Sequence, residues 1–151
     1  MAVKIRQMCP EDTEAVFHME EELFSDAWSL KSLSDSFTFS AYHNMVAEED
    51  GRVLGYLLFM QAVDEGELLR IGVERSCQKR GIGSLLMDAM RDYAISESIS
   101  QIFLEVRETN TPAKALYEKK GFEVIGVRKK YYRDPLEDAV LMSLSLPVLY
   151  P

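Results

Sequence analysis

Residues 82–93 constrain this chain more than any other stretch. Ile82, Leu85, Leu86, Ala89, Met90 and Tyr93 recur at intervals of three and four, which puts all six on one continuous side of an α-helix. A helix with such a face has to bury it, and the neighbouring segments offer the partner surface. Glu67–Val73 upstream reads as a strand. In Gln101–Glu108 downstream, Ile102, Leu104 and Val106 alternate with Phe103, Glu105 and Arg107, so the two sets face opposite sides of a sheet. Between the first strand and the helix lie two glycines, Gly81 and Gly83.

The rest of the chain supplies further short elements. Val3 and Ile5 alternate as in a strand. Pro10-Glu11-Asp12 reads as a helix start, followed by Val16, Met19 and Leu23 at helical spacing. A second short helix is predicted from Ser29 to about Phe37. Strands follow at Asn44–Ala47 and Val53–Met60, joined by an Asp50-Gly51 turn signal. After the Gln101–Glu108 strand come a helix from about Pro112 to Lys120, ended by Gly121, and strands at Phe122–Val127 and Ala139–Leu146. A β-meander followed by β-α-β-α-β-β implies a mixed sheet flanked by helices, of the α/β (α+β) class. No repeat or linker divides the 151 residues, so one domain over 1–151 is expected.

Composition removes several function classes. The longest apolar run, Val53–Met60, falls far short of the ~20 residues that cross a bilayer. The opening residues have no signal-peptide hydrophobic core. Cys9 and Cys77 allow at most one bridge, so a reduced, cytoplasmic protein is the expectation. The net charge of −8 argues against generic affinity for nucleic acid or anionic membrane and suits a basic partner. His18 and His43 stand apart, and no Cys/His/Asp spacing points to a metal.

The segment Gln78-Lys79-Arg80-Gly81-Ile82-Gly83-Ser84 is the first candidate site. Glycines there let consecutive N–H groups converge on one anion, reinforced by the start of the helix. Arg75, Lys79 and Arg80 add positive charge, and a pyrophosphate fits. A Walker A loop fails because Ile82 follows Gly81 and Ser84 follows Gly83. A dinucleotide-binding loop has Glu105 at about the right distance, but its third glycine position is Leu86, and the stretch from Val73 to Gly81 is too long for the tight turn. The pattern Gln/Arg-x-x-Gly-x-Gly, matched by Gln78-x-x-Gly81-x-Gly83, is the coenzyme A pyrophosphate loop of the GNAT acetyltransferases.

The surroundings carry the same likeness. Ile71-Gly72-Val73-Glu74, Leu104-Glu105-Val106-Arg107 with Asn110, Ala115-Leu116-Tyr117-Glu118 and Gly121-Phe122 resemble that superfamily. Tyr117, Arg128-x-x-Tyr131-Tyr132, Glu137-Asp138-Ala139, and Phe24 with Trp28-Ser29 resemble, more narrowly, its RimI-type ribosomal-protein-alanine N-acetyltransferases. The likeness runs over nearly the whole chain. It implies a twisted, mostly antiparallel mixed sheet of about seven strands with about four helices, and acetyl-CoA as co-substrate without a metal.

The resemblance also assigns roles. Lys79, Arg80, Gly81, Ile82, Gly83 and Ser84 would anchor the pyrophosphate. Ile71, Gly72 and Val73 would pair with the pantetheine amides and lend an N–H to the thioester carbonyl. Glu105 would be the general base, although its spacing alone reads as a strand carboxylate that is either solvated or salt-bridged, with Arg107 as a candidate partner. Tyr117 would be the general acid, although its spacing alone reads as a core aromatic. Asn110 fits a coenzyme contact and a helix cap equally. Trp28, Tyr131 and Tyr132 would shape the acceptor site. The run Arg128–Arg133 also allows a nucleic-acid patch, but on an acidic chain a solvated strand-end loop is expected.

The implied acceptor is the N-terminal alanine of a small-subunit ribosomal protein. A lysine or small-amine acetyltransferase and a non-catalytic coenzyme A-binding module are the alternatives. Ala27, Arg70 and Cys77 depart from the family's usual proline, asparagine, and aromatic or histidine, and Arg70 bears on the acceptor pocket.

Overall fold

Antiparallel pairing of strands consecutive in sequence builds the first half of the sheet. In the computed structural model, which describes residues 2–147, β1 is Lys4–Gln7, β2 Met45–Glu49, β3 Arg52–Ala62 and β4 Glu65–Val73, each antiparallel to its neighbour. Asp50 and Gly51 both take positive φ, 52° and 78°, the left-handed pair that a two-residue hairpin between twisted strands requires. Between β1 and β2 run a 3₁₀ turn at Pro10–Asp12, α1 (Thr13–Leu23), α2 (Leu30–Asp35) and a second 3₁₀ turn at Ser36–Thr38. Ser29 caps α2, accepting from the N–H of Ser32 at 3.0 Å.

From β4 the chain crosses over through α3 (Ile82–Ser96) to β5 (Gln101–Arg107), which lies parallel to β4. After α4 (Thr111–Lys119), β6 (Glu123–Tyr132) and β7 (Glu137–Ser145) complete a seven-stranded sheet ordered β1-β2-β3-β4-β5-β7-β6.

Two apolar clusters cover the two faces. α3 buries Ile82, Leu86, Met87, Met90 and Ala94 among Leu57, Phe59, Ile102 and Leu104. α1 and α2 bring Val16, Met19 and Leu33 onto Val46, Tyr56 and Leu58. One expectation needs correction: Leu85 is 42% exposed, because the buried sector of α3 turns toward Met87 and Ala94 and leaves Leu85 on the rim.

The parallel pairing is short. It runs from Glu65 opposite Gln101 to Leu68 opposite Leu104 and stops there. On the other side of β4, Leu58 faces Arg70 while Phe59 faces Leu68, so Leu69 is an extra residue. Such a bulge bends and twists the strand. β4 therefore diverges from β5, and the edge of residues 69–73 is left without a ladder partner on that side. Gly72 is required here: a Cβ on it would stand 2.6 Å from the Tyr56 ring.

The basic-aromatic run is also corrected. β6 extends to Tyr132, with Arg128 paired to Ala139 and Tyr132 to Glu137 across an irregular stretch, so residues 128–132 are strand and not loop. Lys130 takes φ 50° in that stretch, and its N–H donates to Asp138 Oδ1 at 2.8 Å.

At the sheet's far edge Arg6 donates to both oxygens of Asp12 (2.8 and 2.9 Å) and to Glu48 (2.8 Å). These hydrogen bonds hold the Asp12 carboxyl below the usual range against the opposing effect of its burial. A carboxyl with a depressed folded pKa stabilises the protein above its unfolded value of about 3.9, and that contribution is lost as pH falls through the lower folded value. Urea midpoints should therefore drop as pH falls below about 4, and Asp12→Asn should flatten that drop.

Candidate active site

The divergence of β4 from β5 opens a cleft around which Trp28, Ile71, Glu105, Asn110, Tyr117, Tyr131 and Tyr132 gather, whereas Gly72, Val73 and residues 79–84 line neither of its cavities. An inner cavity of about 140 Å³ is lined by Ile71, Glu105, Asn110, Tyr117 and Tyr132 among others. An outer cavity of about 530 Å³ adds Trp28, Glu67 and Tyr131 and shares Arg70, Glu105 and Tyr132 with the first. Glu105 stands between the two. Trp28 and Tyr131 sit on the outer side only, Tyr117 on the inner side only.

Glu105 faces away from the Ile102, Leu104 and Val106 core side of β5, with a quarter of its side chain exposed. Its ion-pair partner is Arg128 on β6, at 3.3 Å, and not Arg107. Arg107 is occupied elsewhere. It donates to the carbonyls of Arg133 (2.9 Å) and Pro135 (3.0 Å), and its guanidinium lies 4.4 Å over the Tyr132 ring. Tyr117, on α4, is buried, and burial raises its hydroxyl well above the ordinary phenol range. Tyr132 is pushed up to about 12 by burial and by the Glu105 charge. Tyr131, edge-on to Tyr132 at 5.1 Å, is raised through its interaction with the Glu105 carboxylate and then by burial.

The glycine loop joins β4 to α3 and lies against α4, where a Cβ on Gly83 would stand 3.4 Å from the Leu116 side chain next to Tyr117 in sequence. Lys79 and Gly81 take φ 67° and 79°, and Gly81 opens the fifteen-residue α3 in the left-handed conformation. Among the described residues, the main-chain N–H groups of 79–84 meet no intramolecular hydrogen-bond acceptor; the first paired amide is Leu85, bonded to the Gly81 carbonyl at 3.1 Å. A run of unpaired donors at a helix start favours an anion. Gln78 shapes the approach by donating to the Val73 carbonyl at 3.0 Å. Arg80 contributes less free charge than expected because Glu49 neutralises it at 2.6 Å. Ile71, Gly72 and Val73 form the open edge of β4 beside the loop. Asn110 caps α4, accepting from the N–H of Ala113 at 3.2 Å, while it also borders the inner cavity.

Sequence reasoning missed two acidic residues. Glu20, inside a run of three glutamates, is fully buried, and its carboxylate accepts from Tyr56, Arg70 and the N–H of Trp28. The one local signal was its place four residues after Val16, on the buried face of α1. Glu67 lines the outer cavity, and its carboxyl is raised by burial and by the charge of Glu105. Nothing in the spacing of β4 marks it.

The opening of the sheet at its parallel pair brings a carboxylate, Glu105, and a phenol, Tyr117, to one cavity, and the loop before α3 presents unpaired main-chain donors suited to an anion. The chain belongs to the acetyltransferase (GNAT) family, whose sequence pattern matches residues 13–122, and it is an acetyl-CoA-dependent N-acetyltransferase. It is 30% identical over 137 residues to the ribosomal protein bS18-alanine N-acetyltransferase of Escherichia coli, covering 89% of this chain and 92% of that protein. It is 35% identical over 146 residues to an uncharacterized N-acetyltransferase of Methanocaldococcus jannaschii, covering 95% and 92%. The crystal structure of the ribosomal-protein-S18-alanine N-acetyltransferase from Escherichia coli superposes with a TM-score of 0.91 at 28% identity, over 99% of this chain and 97% of that one.

Proposed function

We propose that the protein, as a single cytoplasmic domain over residues 1–151, acetylates the N-terminal α-amine of a protein by direct attack in a ternary complex. The favoured acceptor is the N-terminal alanine of a small-subunit ribosomal protein. The observation that carries this reading is the shared cleft: Glu105 and Tyr117 line one cavity with Ile71 on the open edge of β4. The likeness to the bS18-alanine N-acetyltransferase of Escherichia coli supports the choice of acceptor.

Acetyl-CoA supplies the acetyl group as a thioester. The N–H groups of 79–84, with Lys79, hold its pyrophosphate, and the open edge of residues 71–73 aligns its extended arm as an added strand would. An N–H on that edge steadies charge on the carbonyl oxygen. An α-amine, with a reference pKa of about 7.7–8.0, is mostly ammonium near neutral pH. Glu105, directly or through water, takes its proton and frees the lone pair. As nitrogen bonds to the acetyl carbon and the carbon–sulfur bond breaks, the Tyr117 hydroxyl donates to the departing sulfur. Its raised pKa opposes complete proton transfer to a thiolate of lower pKa, so a well-placed hydrogen bond to the sulfur matters more than acidity. Trp28, Tyr131 and Tyr132 border the outer cavity from which the acceptor enters.

The test is a peptide panel followed by thiol release. An Ala-starting peptide with a ribosomal-protein sequence should turn over, and an N-acetylated copy with an internal lysine should not. Turnover of the second peptide alone would establish side-chain transfer instead, and thioester binding without turnover on any peptide would leave a binding module. Tyr117→Phe should lower kcat by about a hundredfold while the acetyl-CoA Kd stays within a factor of about two, by calorimetry. Unchanged kcat would return Tyr117 to a packing role.

A further inference from the structure

The loop between α1 and α2 has open space on both sides. One side faces the outer cavity, lined by Asp26 and Trp28. The other faces a cavity of about 550 Å³ bordered by Asp26, Ala27, Trp28 and Ser29. Side chains from elsewhere do the fastening. Two hydrogen bonds anchor the main chain of residues 25–28 to the rest of the fold: Trp28 N–H donates to Glu20 at 2.9 Å, and Arg70 Nη2 donates to the Asp26 carbonyl at 2.8 Å.

Arg70 takes hold of this loop in three ways at once. Its Nε donates to both oxygens of the buried Glu20 (3.1 and 3.2 Å), its Nη2 also reaches Asp26 Oδ1 at 3.3 Å, and its flat face lies 3.8 Å from the Phe24 ring. The side chain is 14% exposed. A planar fork can grip two acceptors and stack on a ring together, whereas an ammonium is a point charge that does neither in the same way.

We propose that Arg70 is a positioning residue, which locks residues 24–28 against β4 and so pre-forms the wall along which the acceptor N-terminus enters. The proposal rests on the α-amine acetyltransferase reading for its kinetic arm only. Locking the wall before the peptide arrives removes an ordering cost from acceptor binding, and this cost belongs to KM for the acceptor, not to the chemistry or to the coenzyme.

Trp28 is the only tryptophan in the chain, which gives a direct readout of the loop. In Arg70→Asn and Arg70→Lys, acrylamide quenching of Trp28 fluorescence should rise about twofold, and acceptor-peptide KM should rise about tenfold with kcat and acetyl-CoA KM held within about twofold. Arg70→Lys keeps a cation opposite Glu20, so it serves where Arg70→Asn fails to fold. Quenching equal to the parent protein overturns the proposal. So does a loss falling equally on kcat and on coenzyme affinity in a variant that remains folded at the assay temperature. If the parent protein acetylates no peptide, the reading of function fails by itself, and the quenching comparison still decides whether Arg70 locks the loop.

Discussion

Glu105→Gln should lower kcat/KM for an alanine-starting peptide by about 10²–10⁴-fold, the range that a positioned general base supplies. The amide matches the carboxylate in size and leaves β5 and its pairing with β7 intact. It also gives up the ion pair with Arg128, but that pair is half-exposed on the arginine side and contributes about 1 kcal/mol or less. The variant should therefore melt within about 2 °C of the parent protein and bind acetyl-CoA equally well while losing turnover. Thiol release under steady state, with calorimetric coenzyme binding alongside, separates these quantities. Activity within threefold of the parent protein would remove Glu105 from the chemistry.

The largest expected change in stability is at Glu20. Glu20→Ala removes the one carboxylate on which Arg70, the Tyr56 hydroxyl and the Trp28 N–H converge. Burial, with the nearby Glu20 charge, holds the Tyr56 hydroxyl protonated far above the ordinary phenol range, so this donor is committed. Truncation strands a nearly buried guanidinium and a buried hydroxyl, and breaking a buried pair in this way costs about 3–5 kcal/mol. Urea unfolding should record the loss as a lower midpoint at unchanged slope. Arg128→Ala, at an exposed position, should change stability by less than about 1 kcal/mol and serves as the contrast.

What was legible in the chain was what neighbouring residues determine among themselves. The α3 stripe (apart from Leu85), the alternation along β5, the Asp50-Gly51 turn and the glycine loop are all written within a dozen residues, and each stands where its spacing predicts. The partners across the sheet were not legible. Glu105 and Arg107 project from the same side of β5, which made them the natural pair. In the fold Ala139 lies between Arg107 and Arg128 in register, and its small side chain leaves Arg128 room to reach across β7. Arg70 and Glu20 are joined only because β4 passes beneath α1. Glu20 went unmarked because three consecutive glutamates conceal which of them faces inward. The end of β6 read as loop because charge and aromatic content resemble those of a loop, whereas pairing with β7 settles the matter.

Alternate residues of β3 serve different masters: Tyr56 and Leu58 belong to the layer beneath α1 and α2, Leu57 and Phe59 to the layer beneath α3. The layer beneath α1 and α2 and the layer beneath α3 are thus built from separate sets of side chains on one shared strand. Under the function proposed above, natural variation in the first set can retune which N-termini are admitted without disturbing the grip on the donor.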